Sequence, residues 1–156
     1  MGIDEELIQR FVPMIGREQA DNLAFTVLRI AAGIIVIPHG VSQLVGGSES
    51  FAQSALAQIG VSPSAFASYL IIYLELIGGA CLTVGFLSRV FAIALAVEML
   101  WVAAIFWSNP SASNGEFEPW ELPLLLASVL ILVSLHGSGP WSIDRLLRDA
   151  RANKGE

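Results

Sequence analysis

Long apolar runs separated by short polar stretches dominate this chain. A helix that crosses the hydrocarbon of a bilayer needs about 20 apolar residues at a rise of about 1.5 Å per residue. Four runs approach that length, at residues 23–44, 65–87, 90–107 and 120–136. The pattern therefore predicts an all-α fold, a four-transmembrane-helix antiparallel bundle over residues 23–136.

Amphipathic segments flank the predicted bundle. In the cytoplasmic segment 137–156 one helical face collects apolar side chains with arginines beside it, which is typical of a helix lying on a membrane surface: Ile143, Leu146, Leu147 and Ala150. We expect Ser142 and Asp144 to cap and charge the beginning of this helix. The N-terminal segment 1–22 shows a weaker stripe, and the connection 46–64 suggests a short helix: Leu7, Ile8, Phe11, Ile15 and then Phe51, Leu56, Ile59.

The basic residues predict the orientation. Lysines and arginines tend to stay on the cytoplasmic side of a membrane, and here they flank only one end of the predicted spans: Arg10, Arg17, Arg89, Arg145, Arg148, Arg151 and Lys154. The connections 46–64 and 108–119 contain no lysine or arginine. We therefore expect a multi-pass protein of the cell (inner) membrane with both termini in the cytoplasm.

Composition narrows the chemistry. The chain is 54% hydrophobic and 14% charged, with a mean hydropathy of +0.67, so the lipid bilayer is its expected partner. Acidic residues outnumber basic ones, 14 to 8, which disfavours nucleic acid as a partner. A single cysteine, Cys81, excludes a disulfide or a thiolate metal cage within the chain and reads as an inert packing residue. We find no motif for an intrinsic flavin, haem or metal.

Five ionisable residues fall inside the predicted spans. Measured from the cytoplasmic edge at the helical rise, Arg29 lies about 9 Å deep, Glu75 and Glu98 about 15 Å, and His39 and Glu121 about 23 Å. A charged side chain at the centre of a membrane helix costs about 2.5–3.5 kcal/mol on insertion scales, so each residue needs a partner, a proton or a water-lined cavity. On this estimate Glu75 and Glu98 lie at the same depth in the membrane, and so do His39 and Glu121.

Local sequence indicates where two of these side chains lie. Gly78 and Gly79 share the helical face of Glu75, and small residues permit close helix contact, so Glu75 should point into the bundle. Pro38 should kink the first span at His39. The alternative is that these groups only hydrogen-bond one another to fix the packing. His39 and Glu121 could equally form an ordinary interfacial pair, and Glu121 could be a first-turn acid favoured by the helix dipole.

Three segments together resemble the DoxX family: LRIAAGIIVIPHGVSQL, ELIGGACLTVGFLSR, and ELPLLL followed by HGSGPWSID. The signature elements map onto positions around spans one, two and four: Arg29, Gly33, His39, Gly40, Glu75, Gly78, Gly79, Gly85, Arg89, Glu121, Gly137, Gly139, Ser142 and Asp144. The chain departs from the family pattern at Gln43, where lysine is frequent, at Pro123 and at Glu98. The resemblance implies a four-helix membrane protein. Branches of the family include a thiosulfate:quinone oxidoreductase subunit and a complex handling thiol and oxidative stress.

The leading functional hypothesis is a membrane subunit of a redox system, linked to a quinone or a small sulfur compound. We assign proton handling to the catalytic candidates Glu75, His39 and Glu121, because buried carboxyl and imidazole groups can deliver protons as electrons arrive. The ligand-binding candidates are Arg29, Gly40, Glu98 and Trp101. A quinone is the only cofactor considered, and electrons would come from a protein partner.

Other functions remain open, and the sequence does not decide whether the chain is catalytic. The runner-up is a non-enzymatic scaffold or assembly factor that docks a partner protein. A third hypothesis is a small proton-coupled transporter, for which four spans would have to form a homo-oligomer to enclose a path. Metal binding by His39, Glu75 and Glu98 is disfavoured by their different depths.

Overall fold

The computed structural model describes residues 17–45, 65–108 and 120–153. Regular structure in these ranges is helical, without strands, and comprises five helices: α1 (Arg17–Val45), α2 (Ala65–Val84), α3 (Ser88–Ser108), α4 (Glu121–His136) and α5 (Ile143–Ala152). The α1 helix begins before the predicted start at residue 23 and continues through Pro38. The predicted stripe within residues 1–16 and the predicted short helix over 51–59 lie outside the described residues.

The first four helices form two closely packed pairs, α1 with α2 and α3 with α4. Their directions alternate. Gly33 of α1 faces Gly79 of α2, whereas the later Gly40 faces the earlier Glu75, so the two helices run in opposite directions. Arg89 at the beginning of α3 lies against Gly137 just after α4, so the second pair is antiparallel as well. Fewer contacts join α2 to α3 and α1 to α4.

A continuous apolar core joins the two pairs. Its buried side chains come from all four helices: Ala32, Val36, Leu82, Ala92, Leu95, Ala96, Met99, Leu126, Ala127, Leu130 and Val133. The outward faces are also apolar, with Val97 63% exposed and Leu125 63% exposed. Apolar side chains on both faces of a helix are typical of a membrane protein. By length and composition, two stretches of the described chain could cross a bilayer, Gln19–Val45 and Ser88–Ser108, while Ser68–Val84 and Glu121–His136 are shorter apolar helices.

The turn between α2 and α3 is fixed by its backbone. Gly85 has a φ of +77°, a conformation that costs a residue with a Cβ about 1–2 kcal/mol. Its N–H and that of Phe86 both donate to the carbonyl of Cys81, which ends α2. The α3 helix begins at Ser88, three residues after Gly85, so this short turn brings α2 and α3 side by side.

The beginning of α5 confirms the predicted cap at Ser142 and the predicted acid Asp144 in the first turn, and it shows that Asp144 also has a second role. Ser142 is the N-cap residue of α5, and its Oγ accepts a hydrogen bond from the backbone N–H of Arg145. Asp144 lies in the first turn of α5, but its carboxylate does not cap that helix. It accepts hydrogen bonds from the N–H groups of Leu87 and Ser88 at 2.8 and 3.1 Å, and so caps α3 instead.

Candidate functional site

The buried ionisable side chains of the helical bundle lie at two places. We call the first the interior polar cluster, which consists of Gln43, Glu75, Glu98 and Trp101. The second, the polar junction, lies where the α2–α3 turn meets α5, and it consists of Arg29, Gly85, Ser88, Trp141 and Asp144. The two places differ in how many of their polar atoms have a hydrogen-bond partner.

Glu75 is the best-placed acid of the interior polar cluster. It is 3% exposed, and its Oε2 accepts a hydrogen bond of 2.8 Å from Nε2 of Gln43 on α1. Gly40 lies directly opposite, where an added Cβ would come within 3.1 Å of the Glu75 Cβ. The close approach of α1 at Gly40 therefore brings Gln43, one helical turn further on, within reach of the carboxylate.

Glu98 supplies the second acid, from α3. It is 6% exposed, and among the described residues neither of its carboxyl oxygens has a hydrogen-bond partner. Glu75 is close enough to interact with it electrostatically. Trp101 lies three residues after Glu98 on the same helical face, and its buried Nε1–H also lacks a partner in the described part of the chain.

The polar junction surrounds Arg29, which is 1% exposed. Arg29 Nη2 donates to the carbonyl of Trp141 at 2.8 Å, and its Nη1 lies against the space that a Cβ on Gly85 would occupy. Its Nε and Nη1 have no hydrogen-bond partner among the described residues. Ser88 Oγ donates to Asp144 at 3.2 Å, and the N–H of Asp144 donates to the Gly85 carbonyl at 3.0 Å. Arg29, a sequence-predicted ligand-binding residue, is thus placed apart from Glu75 and Glu98, among backbone groups.

His39 and Glu121 are exposed and lie outside the interior polar cluster. The His39 ring bonds the carbonyl of Ile35 through Nδ1 at 2.8 Å. Within the described ranges no hydrogen bond or ion pair joins His39 to Glu121, so the contact that their similar depth suggested is not formed. The α1 helix is continuous through Pro38, and the kink at His39 stays a prediction.

Gln43 is the cluster member that sequence reasoning missed as a site residue. It stands out in the sequence only as a departure from the family pattern. The sequence did contain a signal for Gln43, because this residue follows Val36 and Gly40 at helical spacing along one face of α1. Val36 is fully buried and Gly40 is buried, so the next member of that stripe should also face the interior.

The interior polar cluster can offer hydrogen bonds and protons to a guest molecule. The indole N–H of Trp101 is a donor, and a carboxyl group donates when protonated and accepts when ionised. The amide oxygen of Gln43, which also lacks a described partner, is a further acceptor. No group of three or more His, Cys, Asp or Glu residues in the described part of the chain is arranged to hold a metal ion.

The sequence of the chain is similar to that of known proteins, which indicates its family. The family model described as DoxX matches residues 24–109, more than half of the chain. The chain belongs to the DoxX family. Among DoxX relatives, "Inner membrane protein YqjF" of Escherichia coli K12 is 30% identical over 130 residues, covering 83% of this chain and 96% of the relative. "Putative oxidoreductase CatD" of Bacillus subtilis 168 is 30% identical over 129 residues, covering 81% and 88%. No solved structure matches the chain.

The comparison shows that the chain is a DoxX-family membrane protein. Its regular structure is helical in the described ranges. The matched residues include Gln43, Glu75, Glu98 and Trp101, so the whole interior polar cluster lies within the family domain. The helix α5, which carries Asp144 of the polar junction, lies beyond the matched residues.

Proposed function

We propose that this DoxX protein is the membrane subunit of a redox system and that its interior polar cluster binds a quinone. The observation that carries the proposal is a set of buried polar atoms without partners among the described residues, on Gln43, Glu98 and Trp101. Leaving such atoms unpaired costs about 1–3 kcal/mol each, a cost that a bound polar ligand would offset. The relative named as an oxidoreductase supports the same direction.

In this proposal each of the first four helices crosses the bilayer, with both termini in the cytoplasm. At the helical rise, the 16 residues of α4 extend about 24 Å, slightly less than the hydrocarbon thickness. Trp120, which precedes α4, stacks edge-on with Trp107 at 5.0 Å between ring centroids, and aromatic side chains favour the membrane interface. The cytoplasmic end is then the end that carries Arg89, Gly137 and α5.

A quinone fits the donor and acceptor inventory of the cluster. Its two carbonyl oxygens accept hydrogen bonds, which the Trp101 N–H and a protonated Glu98 carboxyl can donate. When bound, a quinone supplies two-electron chemistry that consumes two protons. A small oxidised sulfur compound would also accept hydrogen bonds, but its negative charge would be costly to bury among the apolar side chains around the cluster.

In this proposal the residues of the chain itself hold the proton, orient the acid and exclude water. Glu75 holds a proton at its carboxyl group, and Gln43 orients that group through the 2.8 Å hydrogen bond to Oε2. The apolar core around the cluster excludes water, which strengthens each of these interactions. His39 and Glu121 are exposed, and in this proposal they exchange protons with the outer side and do not contact the ligand. Electrons come from a partner protein.

The test is purification in mild detergent followed by mass spectrometry of copurifying proteins and extracted quinones. Wild type is compared with Glu75→Gln and with the control Asp149→Asn, which makes the same carboxylate-to-amide change on the exposed side of α5. We expect wild type and control to retain a quinone and to support electron flux to it, and Glu75→Gln to lose at least about tenfold of that flux.

Two results would contradict the proposal. One is the absence of any bound quinone together with normal electron flux in Glu75→Gln. The other is recovery of a non-redox client protein with no effect of the substitution, which would instead support the scaffold hypothesis.

A further inference from the structure

A cleft of about 440 Å³ opens at the α5 end of the bundle, outside the interior polar cluster. The α2–α3 turn and the beginning of α3 form one wall, and α5 forms the other. Three arginines line it: Arg89 from the first turn of α3, and Arg148 and Arg151 from successive turns of α5. On α5, Asp144, Arg148 and Arg151 are spaced i, i+4 and i+7, so they share one helical face.

The charge in this cleft is uncompensated within the described residues. Arg89, Arg148 and Arg151 form no ion pair there, whereas Arg145, on another face of α5, approaches Asp149 at 3.8 Å. Asp144 is the acid in the cleft lining, and its two oxygens are occupied by the N–H groups at the beginning of α3. Three guanidinium groups therefore face one carboxylate that is already hydrogen-bonded.

Exposed apolar side chains continue the same cleft. Phe86 is 37% exposed, Leu147 is 44% exposed and Val90 is 60% exposed, and all three line it. Val90 and its neighbours belong to the helix end nearest the proposed membrane surface. The cleft thus combines a cationic end with an apolar wall, which matches an amphiphile with an anionic head.

We propose that this cleft binds the phosphate group of an anionic phospholipid from the cytoplasmic leaflet. Guanidinium groups recognise phosphate oxygens through paired N–H donors, and basic pockets at the cytoplasmic ends of membrane helices suit lipid headgroups. The acyl chains lie along Phe86 and Val90. The proposal rests on the orientation given under Proposed function, but not on the quinone. A bound lipid bridges α3 and α5 across the polar junction.

The experiment is native mass spectrometry of the full chain in detergent, titrated separately with phosphatidylglycerol, phosphatidylcholine and inorganic phosphate. Wild type should bind phosphatidylglycerol more tightly than phosphatidylcholine. Arg148→Gln should weaken phosphatidylglycerol binding about fivefold, the effect of one basic residue at an anionic membrane surface. The control Arg145→Gln removes the same charge from the same helix outside the cleft, and it should change binding less than twofold. Arg148→Lys keeps the charge but lacks the paired N–H donors, so its affinity should lie between those of wild type and Arg148→Gln.

Three results would overturn the lipid site. These are equal binding of both lipids, equal loss in Arg148→Gln and Arg145→Gln, and binding of inorganic phosphate as tight as that of phosphatidylglycerol, which would mark a free-phosphate site. The quinone content of the same samples separates this proposal from the redox proposal. Loss of lipid discrimination with quinone retained refutes only the lipid site, and absence of quinone with lipid discrimination intact refutes only the redox proposal.

Discussion

The polar junction and the interior polar cluster each contain buried ionisable side chains, yet their acids differ in hydrogen bonding. In the junction, Asp144 accepts three hydrogen bonds from Leu87 and Ser88, and Arg29 donates to a backbone carbonyl through Nη2, while its Nε and Nη1 have no partner among the described residues. In the cluster, only the Gln43–Glu75 hydrogen bond is made among the described residues, and four buried polar atoms have no partner there. The junction thus pairs its acid, whereas the cluster leaves both carboxyl oxygens of Glu98 without a partner among the described residues. A paired acid stabilises the fold, and an unpaired one is a candidate ligand contact. Substitutions at the two places should therefore separate stability from ligand binding.

Gly85→Ala should produce the largest effect, at the junction. The added methyl would require a strained φ and would meet the buried guanidinium of Arg29. We expect a loss of about 2–5 kcal/mol in the free energy of unfolding, measured by thermal unfolding in detergent. Gly139→Ala is the control, because Gly139 also has a positive φ but its Cβ would meet only the Thr26 hydroxyl at 2.9 Å. Equal losses in the two variants would mean that Arg29 packing contributes little.

Asp144→Ala should cost about 1–2 kcal/mol of stability, because it removes the cap of α3 and leaves two backbone N–H groups without a partner. The same thermal unfolding assay measures it. Asp149→Ala makes the matched change on α5, at a residue whose side chain is 69% exposed and whose ion pair should count for little. If both variants lose the same stability, the cap of α3 is not the source of the effect.

In the interior polar cluster, Glu98→Met should weaken ligand binding without lowering stability, the opposite of what is expected for the junction variants. Replacing a buried carboxyl that lacks a described partner with an apolar side chain of similar size should leave stability unchanged or raise it by up to about 1 kcal/mol. Quinone retention should fall by at least about tenfold in the same preparation. A clear loss of stability would show that Glu98 is paired in the folded protein and belongs with the junction residues in its role.

Trp101→Phe should give the smallest change, because it keeps the aromatic ring and removes only the Nε1–H. Stability should stay within about 0.5 kcal/mol of wild type, since that N–H has no described partner to lose. Quinone affinity, measured by titration, should fall about two- to tenfold, the effect of one hydrogen bond. Trp107→Phe is the control, and it should leave quinone affinity unchanged, because Trp107 is 67% exposed and lies outside the cluster.

The sequence indicates how far along a helix a residue lies. It does not indicate which neighbouring helix the side chain faces. Counting residues placed Glu75 and Glu98 at one level inside the bundle, and the structure buries both side chains. The same counting placed His39 level with Glu121, but His39 points away from the buried stripe of α1 and bonds its own helix. Helical position fixes height to a few ångströms, whereas the contact partner depends on how the helices pack.

Contacts between distant parts of the chain were the other failure of sequence reasoning. Asp144 lies in the first turn of α5, where an acid ordinarily complements its own helix, so local rules assigned it there. Its actual partners are Leu87 and Ser88, more than fifty residues earlier, and only the folded arrangement of α2, α3 and α5 brings them together. The glycine signal succeeded because it is a packing rule: Gly79 lies against the α1 backbone, with its added Cβ 3.0 Å from the Gly33 carbonyl.

The close backbone contact at Gly33 and Gly79 also has a mechanical consequence. Two helices that touch through their main chains have no side-chain layer that could yield, so α1 and α2 should move as one stiff unit. The interior polar cluster draws Gln43 and Glu75 from that unit and Glu98 and Trp101 from α3. A molecule entering the cluster should therefore separate the α1–α2 pair from the α3–α4 pair along the less extensive interfaces.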